Sequence, residues 1–378
     1  MKRRAVWQGL AAGLAMAAAP MARSAAAGTA RVVRFGQSAS LTGSTARHGR
    51  EIRVGLAAAL AGANRQEGPR GLQFELLTLD DGGQASRCAD NARQLVDQGA
   101  AALVGFTSGL GAEACLDLVA RQQVALIGPA SGSMGLRAQV PAGVAHVRAG
   151  FDQEYRRIAG YIQSYGFRRV AHVYLQDTSP ANLGAMTDAL ARSGLQAVLS
   201  LPIARQATST LPLVQQLLAT PLDAIVFAAH AEPVLAIIEQ MNRAQFRGMY
   251  FASSLAGQDL IEGLATARGS AVMSLVVPRP HALGLGVVNQ CQLDLAAAGG
   301  GARLGPTTLE GYIAGRVAVE AARQAARAGA ATRQGLFDAV ARLEADLGGY
   351  RVSLTPRNPQ GSQYVDLVVV DRFGRLAG

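Results

Sequence analysis

The stretch AALVGFTSGLGAEACLDLVARQQVALIGPASGS, residues 101–133, decides the fold. It contains two short continuous apolar runs, Ala101 to Val104 and Val124 to Ile127, with a helical pattern at Gly111 to Gln122 between them. Apolar runs of this length without alternation are typical of strands buried on both faces of a parallel sheet. The stretch therefore predicts a unit of strand, helix and strand.

The alternation of strand and helix continues upstream of this unit. Val32 to Gln37 and Leu72 to Leu79 are predicted strands. Gly49 to Asn64 and Ser86 to Gln98 carry apolar residues at the three- and four-residue spacing of a helix. Short apolar strands separated by helices form a parallel sheet that is covered on both faces. The first part of the chain is therefore predicted to form a doubly wound α/β lobe.

A second series of the same kind starts at Phe151. Its predicted elements are helices at 151–165, 183–192, 211–218 and 232–244 and strands at 170–175, 197–202, 224–228, 249–252 and 271–277. Two long helices, Thr307 to Ala328 and Thr332 to Glu344, and two strands, Tyr350 to Leu354 and Tyr364 to Val370, follow. Because a pair of strands is not stable alone, these strands must return to an earlier sheet. We therefore predict an α/β fold of two doubly wound parallel-sheet lobes.

The N-terminus has the pattern of a secretory signal peptide. Met1 to Arg4 is basic, Ala5 to Pro20 is apolar and uncharged, and small residues between Ser24 and Gly28 suit a cleavage site. A membrane anchor is the alternative, but the apolar run is shorter than the roughly 20 residues that a span needs. No cysteine directly follows the apolar run, so the sequence has no lipobox. We therefore expect residues 1–27 to be removed and the mature protein to be free in the periplasm.

Length and charge narrow the class of protein. About 350 residues remain after the leader. This length exceeds the ~250–300 residues of a single compact core and suits two domains. The formal net charge is +10, of which the leader contributes four, and the remainder is spread along the chain without a block of Lys and Arg. A nucleic-acid-binding protein would concentrate such charge on one face, so we expect no nucleic-acid partner.

The motifs of common enzymes and metal sites are absent from the sequence. The histidines are scattered without a metal-ligand spacing, and there is no Gly-x-Ser-x-Gly motif. Residues Gly109 to Ala114 match a relaxed form of the dinucleotide-binding fingerprint. In a dinucleotide-binding domain that motif follows the first strand, and an acidic residue at the end of the next strand binds the ribose. Here the motif follows the third predicted strand, and no acidic residue ends the fourth. We therefore predict no catalytic residues, no metal and no cofactor. An exported hydrolase on the same type of sheet is the alternative.

The chain has three cysteines, Cys88, Cys115 and Cys291, without the C-x-x-C spacing of a redox or metal site. Cys88 and Cys115 lie near the starts of neighbouring predicted helices. An oxidising compartment would permit a disulfide between them. Three small buried thiols are the alternative, and the sequence leaves both open.

The loops that follow strands carry the candidate binding residues, because open parallel sheets bind ligands beyond the carboxyl ends of their strands. The loops at Gln37–Ser44, Gly105–Gly109 and Gly128–Ser133 are rich in hydroxyls and glycine and nearly free of charge. Such residues donate hydrogen bonds to a carboxylate or another small polar group, although helix capping is their ordinary role. The candidates in these loops are Ser38, Thr42, Phe106, Thr107, Ser108, Gly109, Ala130, Ser131 and Gly132. His230, after the predicted strand 224–228, is a further candidate.

Several stretches, taken in order and spacing, carry a resemblance to a known family. They are Leu79-Asp80-Asp81, Val104 to Gly109, Ile127 to Ser133, Val147 to Glu154, Thr308 to Tyr312, Leu347 to Val352 and Gln360-Gly361-Ser362. Across nearly the whole mature chain they resemble the type I periplasmic binding proteins of the branched-chain amino acid (Leu/Ile/Val-binding) family.

The resemblance implies two lobes that are joined by three crossings of the chain. The crossings would lie near 147–150, 278–280 and 348–350. Lobe 1 would consist of residues 28–147 and 281–348, and lobe 2 of residues 148–280 and 349–378. Closure about the crossings would bury a ligand in the cleft. Because one chain supplies both walls of such a cleft, we expect a monomer.

The resemblance also implies site residues, and the sequence departs from the family at two of them. In lobe 1 the matching positions include Ser108 and Ser131; in lobe 2 they are Asp177, Ser179, His230 and Ser254. Where the amino-acid binders have an acidic residue for the ligand's ammonium, this chain has Ser253-Ser254, and Ser179-Pro180 replaces an aromatic ring. A buried ammonium without an acidic partner is costly, so these departures disfavour a free α-amino acid as the ligand.

For function, the resemblance implies the periplasmic solute-binding component of an ABC-type importer. Its ligand would be a small polar or carboxylate-bearing molecule, such as an amino acid, an amide or an organic acid, and its protein partner would be a membrane permease. A periplasmic ligand sensor for a signalling system is the alternative.

Overall fold

The computed structural model describes residues 31–138, 142–205, 207–329 and 331–377. The predicted signal peptide, residues 1–27, lies outside this part of the chain. The strands are β1 (Arg31–Ala39), β2 (Leu72–Asp80), β3 (Ala102–Val104), β4 (Ala125–Ile127), β5 (Val144–Ala145), β6 (Val170–Leu175), β7 (Ala197–Ile203), β8 (Ala224–Ala228), β9 (Met249–Ala252), β10 (Ala271–Leu275), β11 (Glu344–Asp346), β12 (Arg351–Ser353), β13 (Asp366–Val370) and β14 (Leu376–Ala377).

The α-helices surround these strands. They are α1 (Ala46–Glu67), α2 (Ala85–Asp97), α3 (Gly109–Ala114), α4 (Leu116–Gln122), α5 (Gly135–Ala138), α6 (Phe151–Ser164), α7 (Pro180–Arg192), α8 (Leu211–Ala219), α9 (Ala231–Arg243), α10 (Gly257–Thr266), α11 (Gly286–Ala298), α12 (Pro306–Arg327) and α13 (Arg333–Val340). Within the described ranges, no helix combines the length and the apolar character that a membrane span requires.

The first sheet has the strand order β2-β1-β3-β4-β5, and all of its strands run parallel. In β3, Ala102 and Val104 belong to one buried apolar cluster and Leu103 to another. Because alternate residues of a strand point to opposite faces, apolar packing covers both sides of this sheet. The sheet and its helices, here called lobe 1, confirm the doubly wound arrangement that the apolar runs predict.

The second sheet has the strand order β14-β13-β10-β9-β8-β6-β7. The strands β6 to β10 run parallel, whereas β13 lies antiparallel to β10 and pairs Val370 with Ala271. In β6, Val170 faces one apolar cluster, and Ala171 and Val173 face another. This sheet and its helices form lobe 2. The end of the chain therefore returns to an earlier sheet, and the α/β fold with two lobes is confirmed.

The third crossing lies later in the chain than residues 348–350, where the sequence places it. Strand β12 pairs with β11 and not with the second sheet. Tyr350 belongs to the apolar cluster of lobe 1. Gly348 and Gly349, with φ of +98° and +87°, form the turn between these two strands, and both N–H groups donate to Asp346 Oδ1 at 2.9 and 2.7 Å. The glycine pair is thus a hairpin turn, and the predicted helix to Glu344 ends at Val340 to make room for β11.

Two glycines let α1 and α12 pack closely behind the first sheet. A Cβ atom at Gly55 would meet the carbonyl oxygen of Thr308, and one at Gly311 would meet that of Ile52. Only glycine lets two helix backbones approach this closely. Both helices are 22 residues long, so lobe 1 has an extended, tightly packed pair of helices on one face.

The cysteines are free thiols in this structure, so the bridge between Cys88 and Cys115 is not formed. Both side chains are buried, at 0% and 1% exposure, in the cluster between α2 and α3. The thiol of Cys115 donates to the carbonyl oxygen of Gly111 at 3.1 Å, and its sulfur lies 3.9 Å from the carbonyl oxygen of Cys88. Cys291 lies apart from them, in the other cluster of lobe 1.

We predict that oxidation joins Cys88 to Cys115, because the two residues are neighbours in one buried cluster of the folded chain. The bridge would close a loop of 27 residues and stabilise the fold by about 2–4 kcal/mol. Thiol titration of the denatured, unreduced protein from the periplasm should then find one free thiol, Cys291, and three after reduction. Three free thiols without reduction would contradict the prediction. The variant Cys291→Ala should have none before reduction.

Candidate functional site

A cavity of about 150 Å³ lies between the two lobes. It is bordered by loops that follow β1, β3 and β4 in lobe 1 and β6, β8 and β9 in lobe 2. The carboxyl ends of both sheets therefore face one space, which is where open parallel sheets bind ligands. The residues that line it are Ser40, Thr45, His48, Gly83, Ala85, Thr107, Ser108, Gly109, Leu110, Ala130, Ser131, Ser133, Arg148, Phe151, Tyr155, Leu175, Asp177, Thr178, Ser179, Asn182, Arg205, Ala228, His230, Ser254 and Leu255.

The wall of lobe 1 consists of hydroxyl groups that are fixed by short local hydrogen bonds. Ser108 caps α3, because its Oγ accepts the N–H of Gly111 at 3.0 Å. The Oγ1 of Thr107 accepts the N–H of Ser40 at 3.0 Å. Since a hydroxyl has one hydrogen to donate besides its two lone pairs, both side chains still have a donor for a ligand. This wall therefore offers donors without formal charge.

A buried arginine supports the loop that follows β4. Arg137 Nη1 donates to the carbonyl oxygens of Ser131 and Ser133 at 3.1 and 2.9 Å, and its Nη2 donates to that of Arg148 at 3.3 Å. Burial, together with the nearby charge of Arg148, lowers the pKa of Arg137 to about 9. The carbonyl groups of this loop are thereby satisfied within the protein, and the loop is held against the first crossing.

The wall of lobe 2 contains an ion pair and a second helix cap. Ser179 caps α7 and accepts the N–H of Asn182 at 3.3 Å. Arg205 Nε donates to Asp177 Oδ2 at 2.7 Å, and its Nη1 donates to His230 Nε2 at 2.6 Å. The carboxylate of Asp177 therefore already has a cationic partner from its own lobe.

Two histidines face the cleft, one from each lobe, and both are neutral near pH 7. Burial and the charge of Arg205 lower the pKa of His230 to about 3. Burial and the charge of Arg148 lower the pKa of His48, on α1, to about 4. These two side chains add polar groups to the cleft without adding charge.

A buried cluster of ions forms the floor of the cleft at the first crossing. Arg148 Nη2 donates to Glu154 Oε1 at 2.5 Å and to Ser254 Oγ at 2.8 Å, and its Nη1 reaches Glu310 Oε1 at 3.4 Å. The side chains of Arg148, Glu154 and Glu310 are 4%, 0% and 8% exposed. Glu154 Oε2 also accepts the N–H of Ser254 at 2.8 Å and the hydroxyl of Ser274 at 2.5 Å.

The lobes also touch across the mouth of the cleft. The N–H of Met134 in lobe 1 donates to Asn182 Oδ1 in lobe 2 at 2.8 Å. Arg47 on α1 pairs with Asp259 and Glu262 on α10, with N–O distances of 2.9 and 2.6 Å.

The structure brings most of the predicted site residues to the cavity. Those that line it are Thr107, Ser108, Gly109, Ala130, Ser131, Asp177, Ser179, His230 and Ser254. The other four serve the fold. Ser38 donates to the buried Asp81 at 2.8 Å, Thr42 donates to Asp80 Oδ2 at 2.7 Å, and Phe106 is fully buried. Gly132 lies behind the wall, where its carbonyl accepts the N–H of Phe151 at 2.9 Å.

Sequence reasoning missed several residues of the cavity, above all His48, Arg148, Phe151, Tyr155 and Arg205. His48 and Tyr155 lie inside helices rather than in loops after strands. Phe151 and Tyr155 are one helical turn apart, and their rings stack at 5.9 Å. That spacing at the start of α6 is the signal that could have found the aromatic part of the cavity.

Comparison with known proteins agrees with this architecture. The sequence model of a family described as "Periplasmic binding protein" matches residues 32–375. No curated protein matches the chain significantly. Among solved structures, the chain is similar to a substrate-binding periplasmic protein from Ralstonia solanacearum, with 25% identity, a TM-score of 0.81 and coverage of 91% of this chain and 99% of that one.

Two more distant structures share the fold. A branched-chain amino acid ABC transporter protein from Thermus thermophilus with bound valine is 17% identical, with a TM-score of 0.82, over 92% of this chain and 95% of that one. A fatty acid ABC transporter substrate-binding protein from Thermomonospora curvata is 17% identical, with a TM-score of 0.81, over 92% and 91%. Their named ligands differ in chemistry, so the fold by itself does not select a ligand.

We predict that Arg47→Met opens the cleft. Exposed ion pairs contribute about 0.2–1 kcal/mol each, so the loss of two pairs across the cleft should shift the equilibrium between closed and open forms several-fold toward the open form. Small-angle X-ray scattering at low salt should then give a larger radius of gyration than for the wild type.

Arg93→Met is the matched control, because Arg93 pairs with Asp90 within α2, at 2.5 Å, and touches neither the cleft nor lobe 2. This control should scatter like the wild type. Concentrated salt should increase the radius of gyration of the wild type toward that of Arg47→Met, since salt screens exposed ion pairs. Identical scattering of all three proteins would refute the role of Arg47.

Proposed function

Because the chain belongs to the periplasmic binding protein family, we propose that it is the solute receptor of an ABC-type importer. In this role it captures a small molecule between its lobes in the periplasm and delivers it to a membrane permease. Residues 1–27 would direct its export. One chain supplies both walls of the cleft, which supports a monomer as the working form.

The observation that carries the proposal is the cavity between the two lobes, at the carboxyl ends of both sheets. Its lining combines hydroxyl donors with apolar side chains such as Leu110, Leu175 and Leu255 and with the rings of Phe151 and Tyr155. A cavity that combines apolar surface with convergent polar groups is typical of a site for a small organic molecule. The ion pairs across its mouth support a closed form that retains a ligand.

The charges around the cavity support a ligand without a free amine. Asp177 is paired with Arg205, and Glu154 accepts hydrogen bonds from Arg148, Ser254 and other groups. An ammonium would therefore find no free carboxylate among the described residues that line the cavity. A desolvated ammonium without a charged partner is unfavourable by several kcal/mol. We propose a small organic or aromatic acid, or its amide, as the ligand class.

The ligand class is tested by calorimetric titration with matched pairs of compounds. Leucine and valine are compared with their 2-keto acids and with the unsubstituted acids of the same carbon skeleton. We expect the acids to bind and the amino acids to bind at least tenfold more weakly or not at all. Mass spectrometry of the molecule that co-purifies with the protein provides an independent identification. Tight binding of the amino acids, with no binding of the acids, would refute the proposed ligand class.

Ser108→Ala tests the wall of lobe 1. Loss of a hydrogen bond to a charged ligand group should weaken binding by about 1.5–3 kcal/mol, or roughly ten- to hundredfold. Because Ser108 also caps α3, the variant should lose about 0.5–2 kcal/mol of stability as well.

Thr332→Ala is the control for the capping effect. Thr332 caps α13, where its Oγ1 accepts the N–H of Gly335 at 3.2 Å, and it does not line the cavity. This variant should lose similar stability and keep the wild-type affinity. If Ser108→Ala behaves like Thr332→Ala in both respects, Ser108 is only a helix cap.

A further inference from the structure

We propose that Arg148 is a specificity-determining residue, whose guanidinium occupies the position that a ligand's ammonium would need and thereby excludes amines from the cleft. This inference rests on the proposed function, because it takes the cavity between the lobes as the binding site. It goes further in assigning the exclusion to one side chain and its buried carboxylates.

The carboxylate that could receive an ammonium in lobe 2 is Glu154, and it is present but occupied. Its two oxygens accept hydrogen bonds from Arg148, from the N–H and hydroxyl of Ser254, and from Ser274, at 2.5 to 2.9 Å. Glu154 is fully buried, whereas Arg148 and Ser254 line the cavity in front of it. A ligand in the cavity therefore meets the arginine and the serine before it could reach the acid.

Arg148 makes the contacts that a bound cation would make. Its guanidinium lies 5.9 Å from the ring centroid of Phe151, within the range of a cation–π interaction. Besides Glu154 and Ser254, it contacts the carboxylate of Glu310 at 3.4 Å and the carbonyl oxygen of Ala149 at 3.0 Å. Two acids, an aromatic ring and oxygen acceptors form a complete receptor for a planar or compact cation, and the protein fills it with its own side chain.

Replacement of Arg148 by a neutral residue should turn this position into a cation site. In Arg148→Met, Glu154 and Glu310 would remain buried without their common partner, which is strongly unfavourable. A small cation that enters the vacated space would relieve the repulsion and restore hydrogen bonds. In the wild type, the same cation would meet a positive charge and no free acid.

The experiment measures the melting temperature of wild type and Arg148→Met with millimolar methylguanidinium chloride or with sodium chloride at equal ionic strength. We expect methylguanidinium to raise the melting temperature of Arg148→Met by about 2–4 °C or more and to leave the wild type unchanged. Arg148→Lys, which keeps a cation beside the acids, should also remain unchanged. Arg148→Met/Glu154→Gln should lose most of the effect.

A second measurement compares two ligands of the same skeleton, 4-methylpentanoate and 3-methylbutylammonium, by calorimetric titration. Arg148→Met should bind the amine at least about tenfold more tightly than the wild type does, as expected for a charge-assisted hydrogen bond. If Arg148→Met does not fold, Arg148→Met/Glu310→Gln takes its place, because it leaves one unpaired acid rather than two.

The outcomes separate this inference from the proposed function. The role of Arg148 is overturned if methylguanidinium and sodium chloride give the same melting temperature for the variants that lack Arg148, and if those variants bind the amine no more tightly than the wild type does. The receptor function would remain intact in that case. Tight binding of amines by the wild type would instead overturn the proposed ligand class together with the exclusion. A specific response of the arginine-free variants to methylguanidinium supports the inference, whatever acid the wild type binds.

Discussion

The buried contact of Arg148 with Glu154 and Glu310 is the constraint on which the cleft depends. It unites α6 of lobe 2, α12 of lobe 1 and the first crossing between them, with all three side chains at most 8% exposed. Charges so deeply buried require partners in good geometry, since the loss of one partner leaves the others desolvated. The relative position of the lobes, the orientation of Ser254 and the character of the cavity floor all follow from this cluster.

Much of the fold and part of the site could be predicted from the sequence, because both depend on local patterns. Continuous apolar runs such as Ala125–Ile127 specify strands that are buried on both faces. The hydroxyl-rich loops after β3 and β4 reach the cavity because parallel strands end at one edge of the sheet. Ser38 and Phe106 are exceptions. Ser38 lies within β1, Phe106 lies two residues after the end of β3, and both are fully buried.

The rest of the site could not be predicted, because it depends on contacts between distant residues. His48, Arg148 and Arg205 reach the cavity from a helix, a crossing and a loop, and no pattern in the sequence aligns them. The predicted position of the third crossing, 348–350, differs from the observed one for a local reason. Gly348-Gly349 is compatible with a change of lobe or with a tight hairpin, and only the pairing of β12 with β11 distinguishes the two.

The hydroxyl of Tyr350 has a consequence for how the lobes move. It donates to the carbonyl oxygens of Val147 and Val276, at 2.7 and 3.3 Å. Val147 lies at the first crossing, and Val276 directly follows β10. A single buried phenol thus ties together two connections that are 129 residues apart. If either connection twisted without the other, this buried hydroxyl would lose a hydrogen-bond partner. The motions of the two connections are therefore coupled, and the lobes open by one concerted rotation rather than by independent bending of each connection.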